Sequence, residues 1–177
     1  DQTNLPWVKP SPNMPDLESA LHYPGLCLFE GTNVSVGRGT GTAFQVLGAP
    51  WLNPTRVISQ LEPSSLAGVE VTPAVFTPIG PTDGKYGGIE ISGLRVRVQD
   101  RTRYDPTKLA VALLVAIRAT HPTQFQFRAA SFDRLAAGPD LRLGVEAGEN
   151  APAIWASWEA DLARFRATRA RYLLPQY

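Results

Sequence analysis

Two β-rich runs in the middle of the chain, Gly68–Phe76 and Ile89–Asp100, precede a second half whose apolar residues recur every three or four positions. Strands followed by helices argue against the alternation that builds a parallel sheet and for an α+β domain. The expected architecture is a small mixed β-sheet packed against several helices, with a long C-terminal helix. Pro73 lies inside the first run, and a residue that cannot donate to a sheet ladder belongs on an edge strand or at a bulge. After Gly93 the second run alternates through Leu94, Arg95, Val96, Arg97 and Val98, so one of its faces is wet.

Helices announce themselves by their starts. Asp105-Pro106 opens a helix over 107–120, with Leu109, Ala110, Leu113, Leu114 and Ile117 on one face and His121-Pro122 at its end. Asn53-Pro54 opens another, to about Leu61. Short helices are predicted from Asp16 to a stop near Tyr23-Pro24-Gly25, over 131–137 and over 139–146, and Asn150-Ala151-Pro152 starts the long one. Its Ile154, Trp155, Trp158, Leu162 and Phe165 form a stripe read as core. A chain of 177 residues fits one domain with one core, preceded by a proline-rich strap over 1–15. Trp7 in that strap is either an anchor on the body or a ring for stacking a sugar.

The segment best suited to chemistry is Phe29–Thr40, FEGTNVSVGRGT, read as a polar loop delivered by a strand over Leu26–Phe29. Glycine allows positive φ and lets a ligand approach backbone N–H groups. Two nucleotide readings fail. A phosphate loop needs a lysine before its Ser or Thr, and here Gly39 is followed directly by Thr40; a dinucleotide fingerprint has different glycine spacing.

The net charge of +1, with both signs interleaved, offers no field for nucleic acid, and the basic run Arg164–Arg171 reads as a solvated helix end. One cysteine, Cys27, and two histidines, His22 and His121, make neither a disulfide nor a convincing zinc set, so no metal or cofactor is expected. No run reaches the roughly 18 apolar residues of a membrane span.

Three stretches, PSPNMP over 10–15, YPGLCLFEGTNVSVGRGT over 23–40 and GAPW over 48–51, closely resemble the exo-β-N-acetylmuramidase (NamZ-like) glycoside hydrolases, as does the end of the chain over 165–177. The resemblance implies a bacterial enzyme, periplasmic or secreted, that removes terminal N-acetylmuramic acid from peptidoglycan fragments. It implies an N-terminal Rossmann-like domain carrying a Glu-His-Gly motif; that motif is absent from these 177 residues, which are expected to be the C-terminal domain only. Some relatives carry a glutamate where this chain has Val36.

Glycoside hydrolysis ordinarily uses two carboxyl groups, about 5–5.5 Å apart for retention and 6.5–9.5 Å for inversion. Glu30 is the local candidate for one of them, with the alternative that it pairs with Arg38 and fixes the loop. Arg38 is the candidate reader of the lactyl carboxylate that distinguishes N-acetylmuramic acid from N-acetylglucosamine. Thr32, Asn33, Ser35, Gly39 and Thr40 complete the expected substrate-binding set, their polar groups being suited equally to sugar hydroxyls or to capping their own loop. His22 and Tyr23 stand near the loop, and Asp83, Lys85 and Tyr86 form a possible rim. A glycan-binding or protein-interaction module without hydrolysis, and a self-contained hydrolase pairing Glu30 with Asp83 or Asp100, are the other readings.

Overall fold

The computed structural model describes residues 5–174; residues 1–4 of the strap and residues 175–177 lie outside them. Three strands, β1 (Val46–Gly48), β2 (Val69–Phe76) and β3 (Ile91–Val98), form a sheet of order β1-β3-β2. Both pairings are antiparallel, so the sheet is not mixed as expected. The reason is the connection: β3 follows β2 without an intervening helix, and a parallel neighbour would need a crossover. Pro73 sits on the edge strand, as its missing N–H requires, while Leu94 and Val96 of β3 face the core and Arg97 faces water.

Register brings Gly48 opposite Gly93. A Cβ on Gly93 would overlap the Leu47 carbonyl oxygen, so the strands approach closely only because both positions lack side chains. Gly93→Ala is expected to cost about 2–3 kcal/mol of stability. A urea midpoint within error of the parent would contradict this.

The helices are α1 (Leu17–Leu26), α2 (Pro54–Ile58), α3 (Pro106–Thr120), α4 (Ala129–Leu135), α5 (Asp140–Ala147) and α6 (Ala151–Arg169). Each expected cap is made: Asp105 Oδ1 accepts from the N–H groups of Thr107 and Lys108, Asn53 Oδ1 from Arg56, and Asn150 Oδ1 from Ala153. Helix α3 is the hub, packed against α1, α2, α5 and α6. Its Leu109, Leu113, Leu114 and Ile117 are fully buried in the core with Leu26, Phe29 and Leu94.

One expected boundary holds and two expectations change. Helix α1 ends at Leu26, beside the Tyr23-Pro24-Gly25 stop expected for it, and it tolerates Pro24 inside because Gly25 lies hard against the Pro106 backbone and docking on α3 outweighs the lost N–H. The apolar run after it is a 3₁₀ turn, Cys27–Gly31, rather than a strand. Leu28 and Phe29 are buried there, and continuous burial suits a turn as well as a strand. In α6 the predicted core stripe holds only at its start: Ile154 is buried, Trp155 and Trp158 are partly covered, and Phe165 is 62% exposed. That helix extends past the body it packs on.

Candidate functional site

Glu30 stands in the 3₁₀ turn and Arg38 between Gly37 and Gly39, whose φ values of 75° and 81° lie where glycine is favoured. This backbone course returns the guanidinium to the carboxylate. Arg38 Nε donates to Glu30 Oε1 at 2.6 Å, and Nη2 closes on the same oxygen. Glu30 Oε2 accepts no hydrogen bond among the described residues. The side chains keep 20% and 22% of their surface, Arg38 and Glu30 respectively, so the pair forms part of the surface and is not entombed.

Besides Glu30, two groups hold the arginine. Its guanidinium lies 5.4 Å from the Phe44 ring centroid, and its Nη1 donates to Thr82 Oγ1 at 3.3 Å. Thr82 Oγ1 also accepts from Asn13 Nδ2 at 3.3 Å, which ties the proline-rich strap to the site. Phe44 has a φ of 62°, a conformation rare for a bulky side chain, and its N–H donates to Val36 O at 2.7 Å to close the loop. Tyr23, partly exposed, packs edge-on against the Phe44 ring at 5.0 Å between centroids. Trp7 donates from Nε1 to Met14 O at 3.3 Å and stays 40% exposed.

Lys85 pins the site from beneath. Its ammonium donates to Phe29 O at 3.0 Å, Glu30 O at 3.3 Å and Val34 O at 2.9 Å, using all three protons. Burial pulls its pKa down to about 8, with the Asp83 carboxylate, 3.9 Å away, acting in the opposite sense. Tyr86 adds a second tie, its hydroxyl donating to Asn33 O at 2.6 Å. Beside them Asn33, Gly84, Lys85, Tyr86 and Arg128 line a shallow cleft of about 220 Å³.

The remaining polar groups of the loop bond within the protein. Thr32 and Ser35 are fully buried: Thr32 Oγ1 donates to Phe29 O and accepts from the Val34 N–H, and Ser35 Oγ accepts from the Gly37 N–H. Thr40 Oγ1 donates to Gly37 O and accepts from the Thr42 N–H. Asn33 clamps the chain before α4, donating to Gln124 O and accepting from the Gln126 N–H. Gly39 lies against the Ile79 backbone, where a Cβ would collide. Of the expected set, Glu30 and Arg38 therefore come together at the surface, while Thr32 and Ser35 offer a ligand no surface. Val36 is buried in the core.

Phe44, Thr82 and the pinning role of Lys85 escaped the sequence reading. A lysine among glycines carries no mark of burial, and nothing in a sequence flags a phenylalanine for a left-handed backbone. Asp100 accepts from the Thr102 N–H and hydroxyl, which hold its carboxyl below the usual range.

Both histidines are structural. His121 Nε2 accepts from the Asn53 N–H at 3.0 Å, which places the ring proton on Nδ1, 2.8 Å from Thr120 Oγ1. His22 is fully buried, its Nδ1 2.7 Å from the Tyr104 hydroxyl. Burial holds both imidazoles below the ordinary 6.5; Glu18 opposes this at His22, and Arg56 adds to it at His121. The unfolded chain then takes up protons that the folded chain refuses as the pH falls through 6.5. Stability is expected to be full above that value and to decline towards pH of about 5, before the carboxylates titrate. A urea midpoint flat over this window would contradict it.

Fold and site together define an α+β domain that presents a carboxylate and a guanidinium, held as a pair by a glycine loop, at an open surface. The chain belongs to the family described as Exo-beta-N-acetylmuramidase NamZ, C-terminal, whose model matches residues 21–174. It is 38% identical over 175 residues to Peptidoglycan beta-N-acetylmuramidase NamZ of Bacillus subtilis (strain 168), covering 98% of this chain and 42% of that protein. Two crystal structures of DUF1343 family proteins from Bacteroides fragilis NCTC 9343 share the fold. One has a TM-score of 0.85 at 22% identity, covering 98% of this chain and 46% of that one. The other has a TM-score of 0.65 at 28% identity, covering 94% and 43%. The chain thus spans less than half the length of each of these relatives.

Proposed function

We propose that this domain is the substrate-binding C-terminal part of a peptidoglycan exo-β-N-acetylmuramidase, which hydrolyses terminal N-acetylmuramic acid from peptidoglycan fragments. Catalysis then needs an N-terminal Rossmann-like domain of the same protein, and the substrate puts the enzyme in the periplasm or outside the cell. The observation that carries this reading is the Glu30–Arg38 pair, with Glu30 Oε2 unengaged among the described residues and the pair at the surface, within a family described as muramidases.

In this reading Glu30 supplies one carboxylate and the companion domain the other. Arg38 has two jobs. Nε and Nη2 fix Glu30, and Nη1, held by a long 3.3 Å bond to Thr82, turns to the lactyl carboxylate of the sugar. Asn33, Gly39 and Thr40 border the substrate; Thr32 and Ser35 act from inside, by holding the loop in shape.

Turnover of chromogenic N-acetylmuramide and N-acetylglucosaminide by the full-length protein tests this. Arg38→Lys is expected to lower muramide turnover about 10-fold more than glucosaminide turnover, because a single ammonium cannot hold Glu30 and reach the sugar carboxylate at once, as the separate nitrogens of a guanidinium can. Equal losses would remove Arg38 as the reader of the carboxylate. Glycan binding by the full-length protein without turnover of either compound would replace the enzyme reading with that of a binding module.

A further inference from the structure

The outer half of α6 carries an apolar stripe that the described residues cover only in part. At its inner end Ile154 is buried and Trp155 lies under Lys108, whose Nζ is 5.8 Å from the ring centroid. Trp158 then borders an apolar groove of about 310 Å³ shared with Pro24, Leu28, Leu135 and Leu141. Leu162 and Phe165 follow at steps of four and three, so they continue the same stripe. Yet Phe165 is 62% exposed, and Tyr172, just past the helix, is 81% exposed. A helical end of this length is marginal in water unless its apolar face is covered.

More than half of each relative's length lies outside the part this chain matches, and the matching family model is that of the C-terminal region. The groove and the candidate site share one local segment: Leu28 lines the groove, and Glu30 stands two residues further on in the same 3₁₀ turn. We infer that the Trp158–Leu162–Phe165 face of α6, with the groove beside it, is the dock for the N-terminal part of the same protein. This rests on the reading of the chain as part of a larger muramidase. Arg169 and Arg171 edge the stripe and are exposed, so the docked surface should be acidic there.

Hydrogen exchange on the full-length protein tests the dock. Amides 159–168 are expected to be protected about 100-fold or more over an unpacked helix. The double variant Leu162→Asp/Phe165→Asp should lose at least about 10-fold of that protection while the amides of α3 are unchanged. Unprotected amides in the parent would overturn the proposal. So would protection that grows with protein concentration alongside a doubled mass in light scattering, since the occupant would then be a second copy. Turnover of the muramide, measured on the same sample, separates the two readings. Protection without hydrolysis sinks the proposed activity and leaves the dock, and hydrolysis with an unprotected α6 does the reverse.

Discussion

Lys85→Met is expected to lower the free energy of unfolding by about 3 kcal/mol. Methionine keeps the unbranched side chain to within one atom of its length but donates nothing. The Phe29 oxygen still receives the Thr32 N–H and hydroxyl, whereas the Glu30 and Val34 oxygens lose the ammonium. A buried acceptor left bare costs about 1–3 kcal/mol, and two of them outweigh the relief of no longer burying a charge. Arginine should not rescue, because a planar fork cannot point three donors at carbonyls from residues 29, 30 and 34. The measurement is urea unfolding at pH 7 with the slope checked for constancy. A loss below about 1 kcal/mol would show that the three carbonyls find water or one another, and that the pin is dispensable.

Glu30→Gln in the full-length protein is expected to reduce kcat for muramide hydrolysis about 10³-fold, with KM changed by no more than about threefold. The amide keeps the volume and one acceptor oxygen, so Arg38 retains a partner while the negative charge and the capacity to exchange a proton are lost. A residue that only shapes the loop would respond differently. The loss would then stay within about 10-fold, fall on KM, and be recovered by Glu30→Asp if the shorter carboxylate still reached the guanidinium. A pH profile of kcat that loses its acidic limb in the glutamine variant supports proton transfer by Glu30 itself. An unchanged profile would assign the carboxylate to positioning.

What was legible in the sequence was local. Asp105-Pro106, Asn53-Pro54 and Asn150-Ala151-Pro152 each encode a cap that the structure makes, because a short polar side chain followed by proline has few other uses. Alternation after Gly93 and the proline in β2 likewise report on the immediate neighbours in the sheet. Illegible were features decided by distant residues. Leu26–Phe29 satisfies a buried strand and a buried turn equally, and its conformation is settled by docking on α3 and α4. The meeting of Glu30 and Arg38 was one of two open readings from eight residues' separation, whereas the lysine beneath them lies 55 positions from Glu30 along the chain. The exposed end of α6 misled because a stripe records that a face will be covered without naming the cover.

The outer edge of β2 bears on how this domain survives at high concentration. An unpaired strand rim carrying an exposed Val75 is a template on which another chain can anneal, the first step towards amyloid-like stacking. Pro73, near the middle of that rim, removes one donor and cannot flatten to receive a partner, so it acts as a gatekeeper against self-association.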